Sequence, residues 1–241
     1  VVTKADDSPV TLADRAAESA MREVLAARCP ADGIFGEEHG ALQLDAERVW
    51  VLDPIDGTRS FITGSPLWGT LVGLLGRNGR VALGLVDMPV LGERWIGQAG
   101  LGARRNDTPV HASGCATLSQ ARVVTTSPDL FSPDEWRAFD ELSRRCAMRR
   151  FGGDCYGYAQ LAGGTIDLVI ESGLQPYDYL GPAGLIEAAG GVITDWMGRP
   201  LGLHSDGRVV AAATPALHAQ ALEVLRAVPG VSSADDPPPA G

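Results

Sequence analysis

The chain has few of the residues that hold soft metals or cross-link small proteins. Its 241 residues include four cysteines, which form no Cys-x-x-Cys pair, and four histidines, which form no His-x-x-x-His pair. A chain of this length can bury enough apolar surface to fold without disulfides. The sequence therefore predicts reduced thiols in a cytoplasmic protein and disfavours a zinc site. Any bound metal is expected to be a hard cation held by oxygen atoms.

Clusters of basic residues and long apolar runs are also absent from the sequence. Twenty Lys and Arg residues stand against 30 Asp and Glu residues, which gives a formal net charge of −10. Such a surface repels nucleic acid and anionic lipid. No run of about 18 apolar residues suggests a membrane span. The sequence therefore predicts neither a nucleic-acid partner nor a membrane partner, although cations or helix N-termini could still bind a phosphate group locally.

Aromatic residues make up only 6% of the chain, whereas glycine occurs 30 times. Small and aliphatic side chains must therefore fill the core, with close packing around glycine. The chain begins at Val1 rather than at a methionine, and we expect the natural N-terminus, together with a first helix, to lie upstream. The last stretch, 229–241, is rich in Pro, Ala and Asp and is expected to be disordered.

Hydrophobic periodicity predicts two blocks of secondary structure. The first block, 1–118, should contain a helix followed by an antiparallel sheet, with a hairpin turn at 77–80. The second block, 119–228, alternates strands and helices, which is typical of α/β layers. We expect a junction at 113–119 and a cleft shared by both blocks within one catalytic domain. The predicted helices cover 11–28, 132–145, 156–162, 176–189 and 215–227, and the predicted strands cover 48–52, 69–75, 81–86, 93–96, 102–104, 121–125, 149–151, 166–170, 192–195 and 209–212.

The most informative motif is Asp53-Pro-Ile-Asp-Gly-Thr58, which follows the short predicted strand 48–52. Pro54 stiffens the turn, and Gly57 allows the backbone to approach a ligand closely. The two carboxylates would repel each other at one point unless a cation lay between them. A helix should begin at the end of the motif, where free N–H groups bind phosphate readily. Alone, the motif is equally compatible with an Asx turn followed by a helix cap.

Two further acidic elements accompany this motif. Gly36-Glu-Glu-His-Gly40 follows a short apolar stretch, and Pro176-Tyr-Asp178 places a carboxylate at the start of an apolar helix. Alone, the first is typical of a charged loop and the second of a favourable interaction with a helix dipole. Three acidic elements at strand ends and helix starts, without His or Cys ligands, together favour a Mg²⁺ site.

These acidic blocks resemble the signatures of the inositol monophosphatase superfamily. The order and spacing of 36–38, 53–58 and 177–191 match, and the resemblance covers about residues 4–225. It implies a layered α/β (α+β) fold, the αβαβα sandwich of the inositol monophosphatase type. It also implies two or three Mg²⁺ ions and a homodimer that acts on a small phosphate ester. The implied metal ligands are Glu37, Asp53, the carbonyl of Ile55, Asp56 and Asp178.

The resemblance also implies roles in catalysis and phosphate binding. Thr58, together with Glu37, would orient or deprotonate the water that attacks phosphorus. Asp14 matches an acidic residue near the outer metal, and it can also cap its own helix. The implied catalytic residues are Glu37, Asp53 and Thr58. The implied phosphate contacts are Asp56 and the backbone N–H groups of Gly57 and Thr58.

This chemistry needs no phosphorylated enzyme, because bound cations would activate a water for in-line attack. Cys155 lacks the basic phosphate-binding loop that a cysteine phosphatase requires. The alternatives from other classes are a metal-binding regulatory module without catalysis and a structural Ca²⁺ site. The complete set of acidic residues in the motifs gives no support to a loss of catalysis.

Two other segments bear on the identity of the substrate. Residues 152–158 (Gly-Gly-Asp-Cys-Tyr-Gly-Tyr) and 171–178 (Glu-Ser-Gly-Leu-Gln-Pro-Tyr-Asp) resemble the histidinol-phosphatase branch of the superfamily. Histidinol carries an ammonium group and a basic imidazole, with which Asp154 and Glu171 would pair. We therefore predict hydrolysis of L-histidinol phosphate in histidine biosynthesis. The alternative is an inositol-1-monophosphatase or a broader phosphatase of small metabolites.

Each of these substrate-facing residues also has a simpler interpretation. Asp154 is well placed to cap the helix predicted to begin near Tyr156, and Glu171 could accept hydrogen bonds from sugar hydroxyls. Arg59 follows Thr58 and could lie near the phosphate or an acidic neighbour, but a solvated surface arginine is an equally good interpretation. Tyr158 could stack on an imidazole, but aromatic residues at the start of a core helix more often serve packing.

Overall fold

The computed structural model describes residues 2–3, 9–10 and 12–231. The helices are α1 (Leu12–Arg28), α2 (Thr58–Thr63), α3 (Pro133–Ser143), α4 (Tyr156–Ala162), α5 (Pro176–Ala188) and α6 (Pro215–Ala227). The strands are β1 (Val2–Thr3), β2 (Pro9–Val10), β3 (Gly33–Gly36), β4 (Gly40–Leu42), β5 (Arg48–Asp56), β6 (Gly69–Gly76), β7 (Val81–Met88), β8 (Glu93–Gln98), β9 (Gly102–Arg105), β10 (Thr108–Val110), β11 (Arg122–Thr125), β12 (Met148–Phe151), β13 (Leu168–Glu171), β14 (Val192–Thr194) and β15 (Val209–Ala212).

Two large sheets and three layers of helices form a sandwich. The eight-stranded sheet has the order β10-β9-β8-β7-β6-β5-β3-β4 and is antiparallel except for the β3–β5 pair. The five-stranded sheet has the order β12-β11-β13-β15-β14, in which the first two pairs are parallel. Helices α4 and α5 lie between the sheets, α1 packs on the outer face of the larger sheet, and α3 and α6 cover the smaller one. The predicted αβαβα sandwich is confirmed.

Helix α5 approaches the larger sheet closely because glycine faces glycine. A Cβ on Gly84 would lie only 2.6 Å from the Leu185 nitrogen, and a Cβ on Gly97 only 2.5 Å from the Leu185 Cα. A Cβ on Gly184 would meet the Gly84 nitrogen at 2.7 Å. Side chains at these positions would push the helix off the sheet. Glycine packing therefore provides the close contacts that a chain poor in aromatic residues needs.

One of the clusters of buried residues includes residues of both predicted blocks. Val51 of the larger sheet, Val169 and Val209 of the smaller sheet, and Leu180 of α5 belong to one cluster of buried residues. The chain passes from one sheet to the other between β10 and β11. The boundary at 118/119 and the division into two subdomains of one catalytic domain stay predictions.

Most predicted elements have observed counterparts, and α4, β15 and α6 begin and end at the predicted residues. Short edge elements such as β4 and β10, with three residues each, were not predicted. Thr11, the predicted cap of α1, and positions 232–241 lie outside the described residues. Val231, within the predicted disordered tail, is 1% exposed and packs in a core cluster, so order extends to this residue. Within the described ranges, no helix is long and apolar enough to cross a membrane.

Candidate active site

Strand β5 carries the acidic motif and extends further than the sequence indicates. The predicted strand ends at Leu52, whereas β5 continues to Asp56, with a register shift against β6 between Asp53 and Asp56. Pro54 lies in this irregularity, where a missing N–H is tolerated. Its carbonyl accepts a hydrogen bond of 2.8 Å from Thr70 Oγ1. The predicted end of the strand is therefore wrong, because the irregularity keeps a proline-containing segment within the sheet.

Three carboxylates converge at this irregularity. Asp53, Asp56 and Asp178 each offer an oxygen, and these atoms lie within 4.8 Å of one another. Burial, followed by repulsion from neighbouring carboxylates, raises the pKa of Asp53 and of Asp178 well above the ordinary range. Burial and then the charge of Asp154 raise the pKa of Asp56 to about 7. Carboxylates this close must share protons or bind a cation.

Backbone N–H groups hold each of the three carboxylates in place. The backbone N–H of Ile55 donates a hydrogen bond to Asp53, two positions earlier in the chain. This is the Asx turn that was considered for the motif. One hydrogen bond leaves a carboxylate several lone pairs for a cation. The Asx turn and a metal site are therefore compatible. The bonds run from Ile55 N to Asp53 Oδ1 (3.0 Å), from Cys155 N to Asp56 Oδ2 (2.8 Å), and from Gln175 N to Asp178 Oδ2 (2.7 Å).

Glu37 and the carbonyl of Ile55 add oxygen donors beside the cluster. Glu37 follows β3, forms a hydrogen bond with Asp53, and contributes to the raised pKa of that carboxyl group. The Ile55 carbonyl accepts a hydrogen bond of 3.2 Å from Thr58 Oγ1. An all-oxygen donor set rich in carboxylates suits Mg²⁺ rather than a soft metal. Asp14 is buried in the first turn of α1, and its role near a metal stays a prediction.

A cavity of about 530 Å³ opens onto the acidic cluster. The elements around it are the β5–α2 turn, the loop before α4, the end of β13 and the start of α5. Asp53 and Ile55 are buried next to Asp56. Sequence positions far apart thus meet around one space. The predicted site residues that line the cavity are Glu37, Asp56, Gly57, Thr58, Asp154, Glu171 and Asp178.

Asp154 faces this cavity rather than capping a helix. The position that caps α4 is Cys155, which makes no side-chain capping bond. Asp154 Oδ2 instead accepts a hydrogen bond of 2.7 Å from Ser60 Oγ. Burial raises the pKa of Asp154, although this bond and the charge of Arg59 oppose the shift. Gly57 has a φ of 78°, and a Cβ there would lie 3.0 Å from the Asp154 Cγ, so this close contact requires glycine.

Glu171 lies at the end of β13 and is 1% exposed. Its carboxylate accepts hydrogen bonds from Thr126 N (2.8 Å), Thr126 Oγ1 (2.9 Å) and Thr125 Oγ1 (3.2 Å). Burial nevertheless raises the pKa of Glu171 to about 8. Without a nearby cation, this group is therefore largely protonated at neutral pH. A cationic ligand in the cavity would favour its ionised form.

Tyr158 and Ser60 line the cavity but were not selected as site residues from the sequence. Tyr158 is 3% exposed, and its hydroxyl has no hydrogen-bond partner among the described residues. Burial, with the charges of Glu171 and Asp56, raises the pKa of Tyr158 well above 10, so the phenol stays a neutral donor. Ser60 holds Asp154, from which it is separated by 94 positions. The contact of Ser60 with Asp154 and the placement of the Tyr158 hydroxyl in the cavity have no local sequence signal. Both depend on the position of α4 between the sheets.

Comparisons with known proteins agree with this architecture. Residues 1–229 match the inositol monophosphatase family. The bifunctional phosphatase IMPL2 of Arabidopsis thaliana is 47% identical, over 93% of this chain and 67% of that protein. A histidinol-phosphatase of Chlorobaculum parvum is 38% identical, over 88% of this chain and 82% of that protein. The structure of an inositol monophosphatase from Zymomonas mobilis is 44% identical, with a TM-score of 0.85 over 94% of this chain and 87% of that one. The chain therefore belongs to the inositol monophosphatase family of metal-dependent phosphatases.

Proposed function

We propose that this phosphatase hydrolyses L-histidinol phosphate to L-histidinol and inorganic phosphate. The observation that carries the proposal is the presence of Asp154 and Glu171 in the cavity that also contains the acidic cluster. Both carboxyl groups lie outside that cluster, so they are available to the alcohol part of the ester. An ammonium or imidazolium group would form charge-assisted hydrogen bonds with them. A neutral polyol would give these two carboxyl groups no positive partner.

The raised pKa values of these two groups support a cationic ligand. Burial is the largest cause for both Asp154 and Glu171. A buried carboxylate that lacks a positive partner is costly, and a bound cation removes that cost. The Chlorobaculum parvum relative, which is named a histidinol-phosphatase, supports this interpretation.

The proposed chemistry uses the acidic cluster and the β5–α2 turn. Mg²⁺, when bound, offsets charge on the phosphate oxygens and lowers the pKa of the attacking water. Thr58 donates its hydroxyl hydrogen to the Ile55 carbonyl, so the Thr58 oxygen can accept a hydrogen bond from that water. Glu37 would take up the proton. The backbone N–H groups of Gly57 and Thr58 would hold the phosphate.

The proposal extends to the remaining properties that the family resemblance implies. The proposal includes two or three bound Mg²⁺ ions, a homodimer, and a cytoplasmic location with a role in histidine biosynthesis. The residues proposed to hold the ions are Glu37, Asp53, the carbonyl of Ile55, Asp56 and Asp178.

Hydrolysis of inositol 1-phosphate is the second candidate function. It is supported by the similarity to the Zymomonas mobilis inositol monophosphatase and by the ability of Glu171 to accept hydrogen bonds from hydroxyl groups. The same metal cluster would serve both esters. The two candidates therefore differ only in the part of the cavity that contacts the alcohol.

Asp154→Asn tests the proposed substrate, because it removes the charge and keeps the shape. We expect the wild type to release phosphate from L-histidinol phosphate in the presence of Mg²⁺. The variant should lose about 10- to 100-fold in kcat/KM on this ester, the value of one hydrogen bond between charged groups. The kcat/KM of the variant on glycerol 2-phosphate, whose leaving group is neutral, should fall much less. Equal losses on both esters, or no turnover of histidinol phosphate by the wild type, would contradict the proposal.

A further inference from the structure

We infer that Ser60 is a positioning residue that directs the Asp154 carboxylate into the cavity and so sets the preference for a cationic leaving group. The inference rests on the proposed function, in which Asp154 meets the positive charge of the substrate. Ser60 is the third residue of α2, two positions after Thr58. It therefore connects the turn that carries the acidic motif with the loop that carries Asp154.

The contact between these two residues is short and specific. Ser60 Oγ donates a hydrogen bond of 2.7 Å to Asp154 Oδ2, and both side chains are half-buried. In the part of the chain that the structure describes, no other residue donates a hydrogen bond to this carboxylate. The lone pairs of Asp154 Oδ1 remain for a ligand. The bond thus fixes one oxygen and leaves the other for recognition.

The backbone around Asp154 is strained and does not by itself fix the carboxylate. Asp154 has a φ of 44°, in the left-handed region that L residues rarely adopt. The two preceding residues, Gly152 and Gly153, also have positive φ values of 84° and 132°. Such strain persists at functional sites when surrounding contacts hold it in place. The Ser60 hydroxyl is such a contact, made from helix α2.

Arg59 provides a competing position for the same carboxylate. Its side chain is exposed and lines the outer part of the cavity, and its charge lowers the pKa of Asp154. Without the Ser60 hydroxyl, Asp154 could turn outwards and pair with this guanidinium in solvent. The ion pair would then occupy the carboxylate that the substrate needs. Ser60 therefore holds Asp154 inside the cavity against the attraction of Arg59.

The consequence should depend on the charge of the leaving group. An ammonium group gains a strong hydrogen bond only from a carboxylate held in the correct orientation. A neutral alcohol gains little from the same alignment. Loss of the Ser60 hydroxyl should therefore weaken turnover of a cationic ester and leave that of a neutral ester nearly unchanged. A purely structural role would instead affect both esters equally.

The test compares three variants on two esters, with Mg²⁺ present throughout. Ser60→Ala removes the hydroxyl and Ser60→Thr keeps it. Thr63→Ala is the matched control, because Thr63 is exposed on the same helix and, among the described residues, its hydroxyl donates hydrogen bonds only to carbonyls of its own helix. For Ser60→Ala we expect about a tenfold lower kcat/KM on L-histidinol phosphate, mainly through KM, and less than about a twofold change on glycerol 2-phosphate. Ser60→Thr should restore most of the loss, and Thr63→Ala should behave as the wild type.

A double-mutant cycle with Asp154→Asn completes the test. If Ser60 acts through Asp154, Ser60→Ala should cause no further loss on histidinol phosphate in the Asp154→Asn background. Additive losses, or equal losses of Ser60→Ala on both esters, would overturn the inference. A wild type without preference for the cationic ester overturns the proposed function itself. A wild-type preference that Ser60→Ala retains overturns only the role of Ser60.

Discussion

Removal of divalent cations should make the protein progressively less stable as the pH rises, and Asp56 should account for a defined part of the effect. Burial and the charge of Asp154 raise the pKa of Asp56 from 3.8 to about 7. Since the pKa of Asp56 is raised in the folded state, protonation of Asp56 stabilises the folded protein. This contribution is complete below pH 3.8 and is lost as the pH rises towards 7. Each pH unit well between these two pKa values costs about 1.4 kcal/mol, and this cost falls by half as the pH reaches the folded pKa. The expected loss from Asp56 between about pH 5 and pH 7 is therefore about 2 kcal/mol.

Thermal unfolding in the presence of a chelator measures this loss. For a chain of this size, about 2–4 °C of Tm correspond to 1 kcal/mol, so the wild-type Tm should fall by about 4–8 °C more than that of Asp56→Asn over the same pH range. The variant is the control, because it cannot titrate at this position. Saturating Mg²⁺ near pH 8 should replace the lost protons and restore the wild-type Tm. Parallel pH profiles for the two proteins, or no response to Mg²⁺, would refute the reasoning.

Three further predictions follow from the same structure. Asp56→Asn should abolish turnover while circular dichroism shows a retained fold, and residual activity near the wild-type level would contradict the metal assignment. Tyr158→Phe should lower kcat/KM by about tenfold without lowering Tm, because the hydroxyl has no partner among the described residues; unchanged activity would show that the phenol contacts neither substrate nor attacking water. Gly84→Ala should cost about 1–3 kcal/mol in the free energy of unfolding, because its Cβ would meet Leu185. Gly114→Ala, where a Cβ meets nothing within 4 Å, is the control, and equal stabilities would contradict the glycine contact.

The convergence of three carboxylates could be predicted because local sequence motifs contain these residues. Asp53 and Asp56 belong to one contiguous motif on a β-rich segment. Asp178 lies in the first turn of a helix that begins with a proline, a residue typical of helix starts. Periodicity locates the strand that leads into the motif and the helix whose first turn carries Asp178, although it does not locate the end of the strand. The structure then brings the three together. The same reasoning placed the end of β5 too early, since proline usually interrupts a strand but is tolerated at an irregularity.

The substrate side of the site could be predicted only in part. Asp154 and Glu171 were selected for their charge, but a helix cap was an equal alternative for Asp154 until the Ser60 contact was known. That contact depends on the packing of α4 between two sheets, which no short segment specifies. Tyr158 looked like a packing residue for the same reason, because its environment is built from distant strands. Local patterns thus identify ionisable groups, whereas tertiary packing determines what they face.

The most direct test of the proposed function is phosphate release by the wild-type protein with Mg²⁺, measured on L-histidinol phosphate and inositol 1-phosphate at equal concentrations. We predict a kcat/KM at least about tenfold higher on histidinol phosphate, since Asp154 and Glu171 gain charge-assisted hydrogen bonds only with the cationic ester. A preference for inositol 1-phosphate would leave the metal chemistry intact but would contradict the assignment of these two carboxyl groups to recognition of a cation.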